Sequence, residues 1–515
     1  MSMARPGNQR RNNVRKSVIA KASLRKFARG DNPVLGHKPA SKAELAEALV
    51  NRPKVDFLDP FMRYAAMQAK GISLCAFLVT LAAFQRGLKV TFYYERASFD
   101  PRFAKSMMQG HRGELFTISN GSRTHSFSRT LGDLTHPAAN AIAEDKHLTK
   151  AALKRAGVPT PEGIVVGKGQ TSLVEKFLAQ HPRSRFVVKP HDGSVGRGVH
   201  TDLPAELVPK LIASSKDARL LLEQHVVGDE YRALVVNGRC VATYLRDGAN
   251  VIGDGVTTIR DLISEKNKVR KQNPYLETQL IEDEPAVIAF LARTGLTLDT
   301  VPPVGQRISL SGAANIALGG DPLEVTDEVD AIVCAVAEQA CAAIGIPVAG
   351  LDLILSRDEE QVLCYVLEIN QRPHIGGHSL PIEGPGQGNA VAEAIIDYYF
   401  PETIRDQTHP TLAYDFTPLR DVLKSGQITD LSLPVIGPDW RVMRFVETGI
   451  AAKAMASLIK TAALAAGIFV MIAPAAKGGL ELCLAYAPAN WRVFINAMPA
   501  QFRARLEQRA AEVAK

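Results

Sequence analysis

Two short runs, "AGLDLIL" at 349–355 and "YVLEINQRP" at 365–373, decide how this chain is read. Both are apolar and strand-like, yet the first carries Asp352 and the second carries Glu368 and Asn370. Side chains on a strand alternate between faces, so Glu368 and Asn370 share one face. A charge inside an apolar strand is costly unless something pairs with it. Two facing strands with Asp on one and Glu and Asn on the other can hold hard divalent cations through oxygen, and such cations usually also touch phosphates. The alternative is a solvated strand end, which suits Asp352 alone better than it suits all three residues.

Working outward, "FVVKPHDGSVGRGV" (186–199) is an apolar strand ending in Lys189, followed by a loop with Gly193, Ser194, Gly196 and Gly198. Glycines permit close backbone approach, so amide N–H groups can converge on phosphate oxygens. The lysine supplies a point charge for a phosphate. The run is neither a Walker A motif nor a dinucleotide-binding GxGxxG entry, and standing alone it reads as a hairpin. "LLLEQHVVGDEYRALVV" (220–236) adds Glu223 after three leucines and Glu230 after a turn at Gly228. Such acids can accept from an adenine amino group and from ribose hydroxyls; alone, they read as surface acids at a strand end.

The 515 residues suffice for two or three domains with a large core. The net charge of +8 is uneven: residues 1–40 hold ten Lys/Arg against one acid, Asp31, which leaves 51 basic and 52 acidic residues in the remainder. The body therefore shows no nucleic-acid signature. The arm reads as a disordered solvated segment that can also touch RNA, acidic lipid or an acidic partner. The six cysteines form no CxxC and lie mostly in apolar runs, as buried thiols of a reducing cytoplasm do. No signal peptide is read at the basic start. The apolar stretch 461–476 is broken by Pro474 and too short to span a bilayer; it reads as a helix running into a strand.

Four regions follow: a basic arm (1–40), an N-terminal α/β segment (41–135), a third region (136–403) and a C-terminal tail (404–515). In the second, Asn120-Gly121 marks a hairpin turn. The third opens with a helix through "AANAIAEDKHLTKAALKRAG" (138–157) and continues with alternating strands and helices, predicting a largely antiparallel α/β architecture in lobes.

In family order, "AEDKHLTKAALKRAGVPTPEG" (143–163), "VVKPHDGSVGRGV" (187–199), "LLEQHVVGDEYRALVVNGR" (221–239), "ANVIGDGVTTIRDLI" (249–263) and "VPPVGQRISLSGAANIALGGD" (301–321) join the two opening runs. Together they resemble the ATP-grasp carboxylate–amine ligases, above all the ATP-grasp part of cyanophycin synthetase and of bifunctional glutathione synthetases. The resemblance covers about half the chain. It implies an α/β (α+β) ATP-grasp fold with lobes at 136–220 and 221–403. It implies ATP and Mg²⁺ (or Mn²⁺) as cofactors, with Lys146 and Lys189 at the phosphates and purine side, and the Gly193–Gly198 loop over the triphosphate. Glu223 would read the adenine, Glu230 the ribose, and Asp352, Glu368 and Asn370 the metal ions. Arg246 and Arg307 match positions that meet the transferred phosphate or the substrate carboxylate; surface arginines are their alternative.

The implied reaction joins a small-molecule carboxylate to an amine with ATP giving ADP and phosphate, through an acyl phosphate. A small-molecule kinase and a non-catalytic nucleotide-binding protein remain alternatives. Departures concern the substrate: after Asn370 stands "QRPHIGGHS", which offers Arg372, His374 and His378 for substrate contact. The segment before 136 is too short for a glutamate–cysteine ligase domain, and no P-loop follows. The tail resembles an acylphosphatase-type ferredoxin-like module without its arginine after "ETG" or its asparagine, and is read as a docking or oligomer-forming module. A cytoplasmic protein with no membrane span is expected, with homo-oligomerisation allowed.

Overall fold

The segment Leu74–Gln85 is apolar at nearly every position, and all twelve of its residues are buried. A helix that is hydrophobic all round has to sit inside a core, and this one sits at the centre of the largest. The computed structural model describes residues 60–94, 99, 103, 113–191, 198–282, 284–357, 361–382, 386–403, 409–448, 452–475 and 478–513. The basic arm, the whole stretch from 41 to 59, and Gly193, Ser194 and Gly196 of the glycine loop lie outside the described residues.

The chain enters through α1 (Pro60–Gln68), the buried α2 (Leu74–Gln85) and strands β1 (Lys89–Tyr93), β2 (Leu115–Ser119), β3 (Thr124–Ser128) and β4 (Leu131–Gly132). Asn120 and Gly121 turn the β2–β3 hairpin as expected: the Asn120 side chain accepts from the Ser122 and Arg123 amides, and Gly121 takes φ +92°. Next come α3 (Pro137–Glu144) and α4 (Lys146–Arg155). The single helix expected over 138–157 is thus broken. Asp145 is extended (φ −107°, ψ 111°) and its carboxylate caps α4 by accepting from the His147 and Leu148 amides. Those bonds satisfy two orphan N–H groups.

A four-stranded sheet with two helices follows, built from β5 (Gly163–Gly167), α5 (Thr171–Gln180), β6 (Phe186–Pro190), β7 (His200–Leu203), α6 (Val208–Ser214) and β8 (Arg219–Gln224). Its sheet runs β5–β8–β6–β7, all antiparallel. The chain continues through β9 (Asp229–Val236), β10 (Arg239–Asp247), β11 (Asn250–Ile252), α7 (Ile259–Lys271), α8 (Glu284–Ala292), β12 (Arg307–Ser309) and β13 (Asp321–Glu324). Then come α9 (Ala331–Ile344), β14 (Val348–Arg357), β15 (Val362–Asn370), the single turn α10 (Gly376–Ser379) and α11 (Ala390–Tyr399). The central sheet runs β13–β10–β9–β14–β15. Its one face, with Ala233, Val235, Leu245, Leu351, Leu353 and Leu355, packs on the apolar stripe of α9. The other face joins the α2 core at one end, through Leu234, Val236, Ala242 and Val348, and is polar at the other.

The last stretch holds α12 (Phe416–Ser425), β16 (Asp430–Ser432), β17 (Arg441–Glu447), α13 (Ala452–Ala465), β18 (Phe469–Pro474), β19 (Leu480–Tyr486), α14 (Pro488–Asn496) and α15 (Ala500–Val513). Strand β16 does not stay with the tail. It pairs with β1, completing a sheet of order β16–β1–β2–β3–β4. Strands β17–β19–β18 form their own antiparallel sheet. This sheet is tied to the α2 core by Met471, Ala473, Cys483 and Ala485 and by the Phe84–Phe469 ring contact at 5.3 Å. The apolar stretch near 461–476 resolves into the end of α13 and β18, and among the described residues no helix is long and apolar enough to cross a membrane.

Candidate functional site

Alternation along four strands assembles the polar patch. Asp352 on β14 stands opposite Glu368 on β15 and opposite Arg232 on β9, while Asn370 stands opposite Gly350. Tyr244 on β10 is opposite Arg232 in turn. Because every second residue shares a face, Glu230, Arg232, Tyr244, Arg246, Gly350, Asp352, Glu368 and Asn370 all lie on one side of the central sheet. A register slip of one residue would turn the whole set into the α9 core.

The charges are tightly paired. Arg232 Nη1 donates to Asp352 Oδ1 at 2.5 Å, and Arg246 Nη2 reaches the same oxygen at 2.8 Å. Burial alone would raise the Asp352 carboxyl, but the two guanidinium groups outweigh it and hold it below its ordinary value. Glu368 goes the other way. Burial, and then the charge of Asp352, raise it, although Lys146, Arg232 and Lys189 pull it down. Two carboxylates directly opposed on a half-buried sheet face, one of them pushed toward neutrality, form a donor set that a hard divalent cation relieves. The fit is to an oxygen-liganded cation. Among the described residues no cluster of three or more His, Cys, Asp or Glu side chains is arranged to hold a metal; the group here is two carboxylates and one amide.

Glu223, on β8, is buried and receives two ammonium groups: Lys189 Nζ and Lys150 Nζ each lie 2.5 Å from one of its oxygens. Burial would raise this carboxyl; the lysines hold it below the usual range. Burial in turn lowers Lys150, against the pull of Glu223. Gly163 pairs with Glu223 across the sheet, and a β-carbon there would stand 2.8 Å from Glu223 Cγ, so only glycine leaves the carboxylate its place.

A second ion network sits beyond β10. Asp321, fully buried on β13, accepts from Arg270 at 2.6 Å, Lys266 at 2.5 Å and Asn250 at 2.8 Å. Asn250 also donates to Asp247, which pairs with Arg307. Arg307 thus reaches Asp247, on the strand position next to Arg246, and ties the β11–β12 ribbon to the central sheet.

No family model matches the chain. The glutathione biosynthesis bifunctional protein of Streptococcus thermophilus is 31% identical over 361 residues, 67% of this chain and 45% of that protein. Cyanophycin synthetase of Trichormus variabilis is 31% identical over 296 residues, 56% of this chain and 32% of that protein. The chain is homologous to bifunctional glutathione biosynthesis proteins and to cyanophycin synthetases. It spans less than half the length of these relatives. Among solved structures, a bifunctional glutathione synthetase from Pasteurella multocida superposes with a TM-score of 0.45 at 26% identity, covering 56% of this chain and 40% of that one.

Of the residues expected from the ATP-grasp resemblance, the fold unites Asp352, Glu368, Asn370, Arg246 and Glu230 on one sheet face, and the charges of Lys146 and Lys189 reach Glu368. Glu223 stands with Lys189 but has both oxygens engaged by lysines. Gly198 closes the glycine loop at φ +69° against Pro190. Three residues that share these contacts were not expected in them: Arg232, Lys150 and the network acid Asp321. Arg232 carries a readable signal, since an arginine inside "YRALVV" breaks an apolar strand. Lys150 stands one helical turn after Lys146, on the same face.

The loop after β15 adds His378. It is fully buried, its ring packs 4.7 Å from that of Tyr244, and both ring nitrogens make no hydrogen bond among the described residues. Burial, with Arg232 and Arg246 nearby, lowers its pKa to about 3, so the imidazole is neutral.

Proposed function

We propose that this chain is an ATP- and Mg²⁺-dependent ligase that joins a small-molecule carboxylate to an amine through an acyl phosphate. The observation that supports this most is the direct opposition of Asp352 and Glu368, with Asn370 beside them and two arginines on Asp352. Homology to glutathione biosynthesis bifunctional proteins and cyanophycin synthetase supports it independently.

In this reading Asp352, Glu368 and Asn370 would hold Mg²⁺, or Mn²⁺ in its place, which neutralises phosphate charge when bound. Lys146 and Lys189 would face ATP phosphates, and the glycine loop ending at Gly198 would cover them. Glu223 would take the adenine amino group after exchanging a lysine, and Glu230 the ribose. A carboxylate does not condense with an amine at neutral pH because its oxygen leaves badly. Transfer of the terminal phosphoryl group gives that oxygen a good leaving form, and the dense negative charge must meet fixed cations during transfer. Arg246 would turn to the transferred group once a cation took over Asp352, and Arg307 would border the same place through Asp247. Water excluded by the covering loop would spare the acyl phosphate from hydrolysis.

The two-lobe reading, 136–220 and 221–403, is supported by the separate sheets of β5–β8 and β9–β15. The tail order β17–β19–β18, with a helix after β17 and another after β19, suits a ferredoxin-like module lacking its fourth strand. Six free thiols suit a cytoplasmic protein. The deciding experiment mixes the protein with ATP, Mg²⁺ and pooled amino acids. ADP release should require both a carboxylate and an amine; steady ADP formation with a phosphorylated product and no amine requirement would instead identify a kinase.

A further inference from the structure

The six cysteines do not share one environment. Cys75, Cys341, Cys364 and Cys483 are buried, whereas Cys240 on β10 and Cys334 on α9 are only half-buried. These two are far apart in sequence, yet they converge on one hydroxyl. Cys240 Sγ lies 3.5 Å and Cys334 Sγ 3.9 Å from Thr243 Oγ1. A hydrogen bond also links the two thiols to each other. The meeting place is on the α9 face of the central sheet, away from the face that carries Asp352, Glu368 and Asn370.

Local structure explains the meeting. Residues three apart on a regular strand point to opposite faces, which would put the sheet between Cys240 and Thr243. A bulge between Cys240 and Ala242 inserts Val241 as an extra residue. Cys240 then stands opposite Val235, and Thr243 opposite Ala233. Val235 and Ala233 both belong to the core under α9, so Cys240 and Thr243 point to that helix. From the helix side, Glu338 Oε1 accepts from the Cys240 amide at 2.8 Å. Cys334 stands one turn before Glu338, on the same face of α9. The bulge is therefore pinned to α9 within a turn of Cys334. Cys334 also closes the first turn of that helix, where aligned peptide dipoles favour a thiolate. The bond from Cys240 holds the Cys334 thiol below its ordinary value; the same bond, and then burial, push Cys240 up. One sulfur is suited to attack and the other to wait as a thiol.

We propose that Cys240 and Cys334 form a site of reversible oxidation, closed by hydrogen peroxide into an intramolecular disulfide that staples α9 to β10. The Cys334 thiolate attacks one peroxide oxygen and the O–O bond breaks. The sulfur becomes a sulfenic acid, and the other oxygen leaves as hydroxide, which takes up the proton Cys334 released. The Cys240 sulfur then attacks the sulfenic sulfur. The S–S bond forms, the S–O bond breaks, and the departing hydroxide takes the Cys240 proton. Both thiols are oxidised, and the peroxide is reduced to two waters. A thiol reductant reverses the step by exchange. In a reducing compartment such a bridge is transient, as redox-sensing disulfides are. Its effect falls on β10, whose opposite face carries Tyr244 and Arg246, the latter a partner of Asp352. The proposal is independent of the ligase reading, since it needs only the two sulfurs and the bulge.

The test treats the reduced full chain with hydrogen peroxide in native buffer. N-ethylmaleimide then blocks the remaining thiols under denaturing conditions, and peptides are weighed by mass spectrometry without reductant. Trypsin releases Cys240 in peptide 240–246, and cleavage after Glu338 separates Cys334 from Cys341. The peptide carrying Cys240 should appear joined to the one carrying Cys334, while Cys75, Cys341, Cys364 and Cys483 are blocked. Dithiothreitol should return both thiols. In Cys240→Ser the sulfenic acid meets no second thiol, so dimedone should label Cys334. The wild-type chain alone decides the matter should that variant misfold. A link to any other cysteine, a covalent dimer on a non-reducing gel, or oxidation of Cys240 and Cys334 without a bond between them overturns the proposal. So does a chain in which all six thiols remain open to the blocking reagent.

Discussion

The guanidinium of Arg232 occupies the space where a β-carbon on Gly350 would stand: Nη2 is 2.7 Å and Nε 2.8 Å from that point. The two residues are bonded neighbours neither in sequence nor through their side chains. Yet the absence of one side chain makes room for the other to lie flat on the sheet and reach Asp352 at 2.5 Å. Arg232 is nearly fully buried and cannot swing into water.

Gly350→Ala should therefore act as an Arg232 variant in disguise. The methyl group pushes the guanidinium off Asp352 without touching the apolar face of the sheet. We expect ADP release to fall by about 10² or more, the size of a lost electrostatic clamp, with an unchanged circular dichroism spectrum. Full activity would show that the Arg232–Asp352 contact is dispensable.

Glu368→Gln should abolish ADP release and yet stabilise the metal-free protein. The Glu368 carboxyl is raised in the folded chain, so the native state binds its proton more tightly than the unfolded state does. Its ionisation weakens the fold as pH rises through the raised value. Below the ordinary glutamate value of 4.5 both states are protonated and no penalty remains. The melting temperature of Glu368→Gln should exceed that of the wild type at pH 8, and the gap should close as pH falls toward 4.5. A gap that grows on acidification would contradict this assignment.

Lys150→Met tests the shared carboxylate. Glu223 is held below its ordinary value, so its two ion pairs contribute stability above the unfolded pKa of 4.5 and lose it as pH falls through the depressed folded value. Removing one of two buried cations should cost about 3 kcal/mol at pH 7 by urea unfolding, and this cost should shrink in acid. Since Lys189 remains, ATP binding should weaken and not disappear.

Phe84→Ala probes the seam between the first sheet's core and the tail. Phe84 is fully buried, with its ring 5.7 Å from Tyr414 and 5.3 Å from Phe469. The cavity should cost about 3–5 kcal/mol, read from the urea midpoint. A loss far smaller than this would mean that the β17–β19–β18 sheet is held elsewhere.

Strand alternation made the heart of the site legible before any coordinates. Glu368 and Asn370 share a face because they stand two apart on one strand; that Asp352 faces them is set by the β14–β15 register, which the spacing does not contain. Other features depend on partners that a local pattern does not contain. The break at Asp145 arises from a side-chain cap, which competes with a helix that propensity alone would continue. Arg232 looked like one charge among apolar neighbours because its acid lies 120 residues on. Strand β16 is three residues long, with one partly buried leucine between two exposed neighbours, too little for periodicity to register. Lys150 was eclipsed by Lys146, whose family position is better marked; only Glu223, on another sheet, distinguishes their roles.

That small strand has a cost in time. Thr91 and Ser432 face each other and share a hydrogen bond although they stand 341 positions apart in the chain. On a ribosome, β1 would emerge with this edge open and remain so until the chain had been made as far as Ser432. Contacts of such long range form slowly, and an unpaired edge invites the wrong neighbour. Synthesis and assembly are thus coupled from β1 to β16, and a chain truncated before residue 430 would leave a sticky border for chaperones to cover.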